Sequence, residues 1–198
     1  MEIIQLDPND PRHVRHWLQL PFRLYRGTPQ WVPPVAPDAR LVLDRKRYPF
    51  YEHSEAAFFL AMEGDRAVGR IAAIDNRNFN AFHKLNTAFF YLFESENDTR
   101  IAAALFEAAI GWARGRGLTG LLGPKGFTAL DGLGLLVKGF EHRPAMGIPY
   151  NHPYYDALIK DSGFEKETDH LSGYLPGDHE LPVFRHGKRE RGGGRRRG

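Results

Sequence analysis

The sequence contains no cysteine at any of its 198 positions. Disulfides, thiolate metal sites and cysteine nucleophiles are excluded together, which suits a reducing compartment. Long apolar runs are missing as well: nothing approaches the roughly 20 apolar residues of a membrane helix. Residues 1–8 carry neither a basic cluster nor an apolar core, so they do not read as a signal peptide. The expectation is a soluble, cytoplasmic chain with no membrane partner. Nine histidines are present, but no His-Glu-x-x-His or facial carboxylate spacing accompanies them. His13 and His16 read as an ordinary surface pair, and no metal is expected. Gly-x-Ser-x-Gly is absent, and Lys125 follows glycines without the Gly-Lys-Ser/Thr ending of a phosphate loop.

What is there suits one domain. Apolar residues make up 42% and aromatics 13%, enough for a sizeable core. The formal charge of +3 hides an asymmetry: residues 185–198 hold seven bases and one acid, leaving −3 on the rest. A basic surface for nucleic acid is therefore no property of the body, and such a partner could act only through the tail. The expected organisation is a folded domain over 1–176 and a polar, then Gly/Arg-rich, disordered tail over 177–198.

Ile3, Ile4 and Leu6 predict a short opening strand. Val14, Trp17, Leu18, Phe22 and Tyr25 share one helical face, which Pro21 is expected to kink or split. After a proline-rich linker, Asp38 is expected to cap a short helix. Residues 56–63 and 66–75 predict a hairpin turning at Gly64-Asp65, followed by a polar loop over 76–84. Residues 86–94 form a continuously apolar strand. Asn97 or Asp98 can cap the next helix, with Ile101, Leu105, Ala108 and Trp112 facing inward and Gly115 and Gly117 at its end. Phe89 and Leu105 are expected to pack that strand against that helix. A further strand over 118–123, a glycine-rich stretch, a short helix after Pro153 and a last strand over 166–175 complete the order.

Gly115-Arg116-Gly117-Leu118-Thr119-Gly120 has the letters of a dinucleotide-binding loop. It follows a helix and precedes a strand, the reverse of what places phosphate at a helix N-terminus, so it reads as a helix stop. Phe58, Phe59, Phe89, Phe90, Tyr91 and Phe93 alternate across strand faces, which favours core packing over base stacking. Tyr150, Asn151, His152, Tyr154 and Tyr155 crowd the turn before a helix and form the most site-like passage.

This order of elements resembles the GNAT superfamily of acyl-CoA-dependent N-acyltransferases. The hairpin ending Gly64-Asp65-Arg66-Ala67-Val68-Gly69-Arg70-Ile71-Ala72-Ala73 and the passage Tyr155-Asp156-Ala157-Leu158-Ile159-Lys160-Asp161-Ser162-Gly163-Phe164-Glu165 carry the likeness. Trp31-Val32-Pro33-Pro34, Pro49-Phe50-Tyr51-Glu52-His53, Gly134-Leu135-Leu136-Val137-Lys138-Gly139-Phe140 and Pro149-Tyr150-Asn151 are similar to segments of longer, uncharacterised GNAT-like proteins. The resemblance implies an α/β (α+β) fold with a mixed, mostly antiparallel central sheet and helices on both faces. It implies acetyl-CoA or another acyl-CoA as co-substrate and a small-molecule or peptide amine as acceptor. Leu92 and Phe93 would meet the pantetheine arm, Ser95, Asn97 and Arg100 the phosphates, and Asn151 would be a further cofactor-binding residue. Glu94 or His152 would be the base, backbone N–H groups near Phe93 the oxyanion donors, and Tyr155 or Tyr150 the acid.

Two departures accompany the likeness. Glu94-Ser95-Glu96-Asn97-Asp98-Thr99-Arg100 places carboxylates where the resemblance implies donors for phosphate. One such charge about 6 Å from a phosphate costs ~2–3 kcal/mol at an effective dielectric near 20, so this loop is expected to weaken CoA binding. Ile159 stands where the resemblance implies a tyrosine acid. The alternative reading is a GNAT-fold module that binds a ligand or a protein without catalysis.

Overall fold

Two nearly unbroken apolar runs build the centre of the sheet, strands β2 (Glu55–Glu63) and β3 (Arg66–Asp75), joined at Gly64 with φ of 58°. A two-residue turn with positive φ matches the twist of the paired strands. In the computed structural model, which describes residues 1–145 and 147–173, β1 (Glu2–Gln5) pairs antiparallel with β2. β4 (Thr87–Ser95) pairs antiparallel with β3, and β5 (Gly120–Leu122) lies parallel to β4. The order is β1-β2-β3-β4-β5. Residues 1–167 form one compact unit; a second covers 168–198, and of it residues 168–173 are described, without regular secondary structure.

Alternate residues of the central strands serve opposite faces. On one face, Val14 and Trp17 of α1 (Pro11–Leu24) meet Phe58, Leu60, Ala72, Ile74 and Phe89, beside the short α2 (Ala36–Leu41). α3 (Arg77–His83) follows β3. On the other face, α4 (Thr99–Gly115) and α5 (Tyr155–Asp161) pack on Val68, Ile71, Ala73, Phe90 and Phe93. Gly69 sets the approach of α4: a Cβ there would sit 2.7 Å from Leu105 Cδ1 and 2.8 Å from Ile101 Cγ2. No helix among the described residues is long and apolar enough to cross a membrane.

Several expectations need correction. Pro21 neither splits nor ends α1, which runs on to Leu24. Proline removes the N–H that would bond the Trp17 carbonyl, and the Arg70 guanidinium replaces it at 2.6 Å. Asp38 lies in the first turn of α2 and caps nothing; Val35 precedes that helix. The polar segment after β3 is not a loop but α3, capped by Asn76 through Phe79 N–H at 3.0 Å and ended by Lys84 at φ 55°. α4 turns Ala102, Phe106, Ala109 and Ala113 inward with Ile101 and Leu105, while Ala108 and Trp112 are only partly buried. Phe89 and Leu105 are both buried but on opposite faces; it is Phe90 that meets α4, through Phe106. Residues 166–173 form no strand. The remainder of that expected strand and the expected Gly/Arg-rich tail lie outside the described residues.

Candidate functional site

The centre of the candidate site is an irregularity in β4. Arg70 pairs with Glu94 and Ala72 with Tyr91, so Leu92 and Phe93 share the place opposite Ile71. Leu92 adopts φ 51° to make this bulge, a conformation costly for a non-glycine residue and concentrated at working sites. β5 accompanies β4 only over Thr87–Phe89. Beyond that, Lys125 N–H donates to Phe90 O at 2.9 Å, and on the side away from β3 no described strand lies alongside the end of β4. The two hydroxyls at the start of α5 take its last residue: Ser95 N–H donates to Tyr155 Oη at 3.0 Å, and Tyr154 Oη donates to Ser95 O at 2.8 Å.

Glu94 gathers three elements. Its Oε2 accepts from Tyr25, just past the end of α1, at 2.9 Å and from Tyr155 of α5 at 2.7 Å, and its Oε1 lies 3.7 Å from Arg70 Nη2 on β3. Its side chain is 13% exposed and that of Arg70 7%. Burial pushes the Glu94 carboxyl above the usual carboxylate range, against the pull of Arg70 and the two hydroxyls. The same burial lowers the Arg70 guanidinium from its ordinary value, with Glu94 opposing. Arg70 also lies over the Trp17 ring at 4.8 Å, and its Nε has no hydrogen-bond partner. The Tyr25 and Tyr155 hydroxyls are both raised, first by burial and then by the Glu94 charge, and so keep their protons.

An aromatic stack leads away from this cluster. Trp31 lies on Tyr25 (4.9 Å), Tyr25 on His152 (4.5 Å) and His152 on Tyr154 (5.1 Å), with interplanar angles of 11°, 9° and 10°. His152 Nε2 is 3.0 Å from the Leu24 carbonyl, which α1 leaves open at its C-terminal end. A carbonyl only accepts, so Nε2 carries the proton and Nδ1 keeps the lone pair. Burial lowers the His152 pKa from its ordinary value, with the Leu24 contact opposing. The imidazole is thus neutral at neutral pH, with one basic nitrogen.

Of the residues singled out from the sequence, Glu94, His152 and Tyr155 come together around Tyr25, with Leu92, Phe93 and Ser95 along the adjoining edge. Tyr150 borders them, its carbonyl 3.5 Å from Tyr25 Oη, but its own hydroxyl donates to Phe140 O at 3.1 Å. Asn151 is buried and braces the glycine-rich loop, accepting from Leu136 N–H and donating to Leu136 O and His152 O. Asn97 is exposed. Arg100, with its side chain 84% exposed, grips Asp98. The acidic loop is less repulsive than its letters imply. Asp98 caps α4 through Arg100 N–H, and the Arg100 contacts hold its carboxyl down at about 2. Glu96 is held between Arg23, at 2.5 Å, and Arg66. Arg70 and Tyr25 escape a sequence reading. One visible signal was a lone arginine inside an otherwise apolar strand.

Known proteins place this architecture. Over 160 residues the chain is 32% identical to a bacterial ceramide synthase of Caulobacter vibrioides, a match covering 80% of the chain and 42% of that protein. The chain spans less than half the length of the curated relatives it matches. No protein-family model matches it. Its structure resembles an aminoglycoside acetyltransferase from an uncultured soil metagenomic sample, in complex with trehalose (12% identity, TM-score 0.54, 88% of this chain and 96% of that one). It also resembles a tandem GNAT protein from the clavulanic acid biosynthesis pathway (20% identity, TM-score 0.55, 82% of this chain and 43% of that one). The chain has the GNAT acetyltransferase fold: a five-stranded, mostly antiparallel sheet between helices.

Proposed function

We propose that this chain, built on the GNAT fold, is an N-acyltransferase that moves an acyl group from acyl-CoA to a small-molecule or peptide amine. The observation that carries the reading is the bulge at Leu92, at the point where β4 loses β5, beside a neutral imidazole with a free nitrogen. Ceramide is itself an amide of a long-chain amine, so the name of the Caulobacter relative agrees with acyl transfer to nitrogen.

In this reading the pantetheine arm enters beside Leu92 and Phe93 and the phosphates lie near Ser95. The amine attacks the thioester carbonyl and a C–N bond forms. His152 Nδ1 takes the proton the amine gives up. Backbone N–H groups at the bulge stabilise the tetrahedral oxyanion. When the C–S bond breaks, the thiolate takes a proton from Tyr155, and the proton held by His152 returns to that hydroxyl through solvent, leaving amide and free CoA thiol. Glu94 is fully engaged by Tyr25, Tyr155 and Arg70, which suits a positioning role better than that of the free base. Tyr150 is the poorer acid, since its hydroxyl is turned to Phe140.

The test is thiol release from acyl-CoA with a panel of amines. His152→Gln should lower kcat by roughly 10²–10⁴-fold, the usual worth of a general base, with the fold retained. Equal rates for the variant and the unmodified chain would remove His152 from the chemistry. One observation favours a second reading, binding without turnover: Ser95 N–H and C=O are both taken by tyrosines. Acyl-CoA binding with no thiol release for any amine would establish that alternative.

A further inference from the structure

A groove of about 490 Å³ runs between α1 and the β2–β3 turn, outside the Glu94 cluster. His16, Gln19 and Arg23 line it from α1, spaced to share one stripe of the helix, Arg26 lines it from the turn just past the helix, and Asp65 and Arg66 line the other wall. Arg26 is exposed and pairs with no carboxylate among the described residues. Two of the lining arginines, Arg23 and Arg66, both donate to Glu96 Oε1. Two guanidinium groups converging on one oxyanion is how a protein holds a phosphate or a carboxylate. Here the anion is supplied by the chain itself.

The position of the groove decides which ligand it serves. Donor phosphates, on the reading above, lie at the start of α4, and α4 packs on one face of the sheet. The groove is formed by α1, which packs on the other. Glu96 lies just past the end of β4, two residues beyond Glu94; it meets Arg23 of α1, and Glu94 meets Tyr25 at the end of that helix, so both face the α1 side. A ligand reaching from the groove to the His152 and Glu94 cluster therefore approaches from the side opposite the donor phosphates.

We propose that this groove is the acceptor's anion subsite: the amine acylated by this chain carries a phosphate, or a carboxylate of like geometry, a few bonds from its nitrogen. Glu96 fills the subsite until the acceptor displaces it from Arg23 and Arg66, and Arg26 adds the third guanidinium. The proposal rests on the acyltransferase reading, but its test does not need turnover.

Inorganic phosphate and O-phosphoethanolamine are titrated into the full chain by calorimetry, with ethanolamine as the uncharged-tail control and CoA and dephospho-CoA as donor-side controls. Both phosphate compounds should bind in a salt-sensitive manner and ethanolamine should not. Arg26→Gln and Arg66→Gln should each weaken phosphate binding several-fold. Glu96→Gln should strengthen it about fourfold, the effect of one carboxylate about 5 Å away in a water-like dielectric. A gain on removing a side chain is an outcome that a merely structural ion pair would not produce. CoA binding should be insensitive to Arg26→Gln. Three results would overturn the proposal: no phosphate binding, Glu96→Gln leaving it unchanged or weaker, or Arg26→Gln weakening CoA as much as phosphate, which assigns the groove to the donor. Loss of CoA binding alone, with phosphate behaviour as stated, would strike the acyltransferase reading and leave the groove standing.

Discussion

A guanidinium enclosed by apolar strands persists only where its charge is answered, and Arg70 has the Glu94 carboxylate, the Trp17 carbonyl and the Trp17 ring to answer it. Removing one partner of a buried pair strands the other. Arg70→Met should therefore cost about 3–5 kcal/mol at neutral pH. The pH dependence has a definite sign. Burial already raises Glu94, and without Arg70 it rises further above its unfolded value. The folded variant then binds a proton more readily than the unfolded chain, so its deficit shrinks as pH falls through the carboxylate range and grows as pH rises. Adding Glu94→Gln should recover over half of the loss; a double variant no better than Arg70→Met would mean the two groups are not coupled. His152 runs the other way. Its folded pKa is depressed, so its contribution is present above the ordinary histidine value and lost as pH falls through the depressed one. The acid limb of the pH–rate profile should lie below that ordinary value and vanish in His152→Gln. A limb above it would place a different group in the role. The residues most legible in the sequence were those in the polar turn, His152 and Tyr155, because polar groups beside a helix start stand out. Tyr25 read as mere helix face, since periodicity does not say what a hydroxyl will meet.

Elements obey the same division. Apolar runs bounded by turn residues located β2, β3 and β4, and a 3.6-residue period located α4, within a residue or two, yet they could not say which face of β4 meets which helix. The bulge at Leu92 and Phe93 shifts the alternation beyond it, and no pattern of apolar letters betrays a bulge inside a wholly apolar strand. The assignment of faces is testable by double-mutant cycles. Phe90 and Phe106 meet edge to face at 5.1 Å, so Phe90→Leu and Phe106→Leu should couple by about 0.5–1.5 kcal/mol. Phe89, across the sheet, should add to Phe106 within ~0.5 kcal/mol; the reverse pattern would invert the layers. α1 offers a second test. An interior proline ordinarily costs a helix ~3 kcal/mol or more, but here the orphaned Trp17 carbonyl already has Arg70. Pro21→Ala should raise stability by well under that amount, and a full gain in thermal unfolding would show that Arg70 does not replace the missing bond. α3 was missed because its polar composition hid the Asn76 cap, a signal that capping rules could have caught.

At the scale of the whole chain, the sequence of elements carried the fold, because each was separated by strong turn residues and their order matches few architectures. The site was only half legible, since it is assembled from α1, β3, β4 and α5, residues up to 130 positions apart brought together by the sheet. Charge was informative once divided: the body carries an excess of acid, yet two of the acids that crowd the end of β4 are already matched by Arg23, Arg66 and Arg100. That matching bears directly on the central claim, that the open end of β4 receives acyl-CoA. The direct measurement is a calorimetric titration of acetyl-CoA and a longer acyl-CoA into the full chain, at low and moderate salt. The expected result is one-to-one binding of acyl-CoA, competed by free CoA and only mildly weakened by salt, since the acids are paired. No binding of either thioester at millimolar concentration would contradict it, leaving the end of β4 closed by Tyr154 and Tyr155.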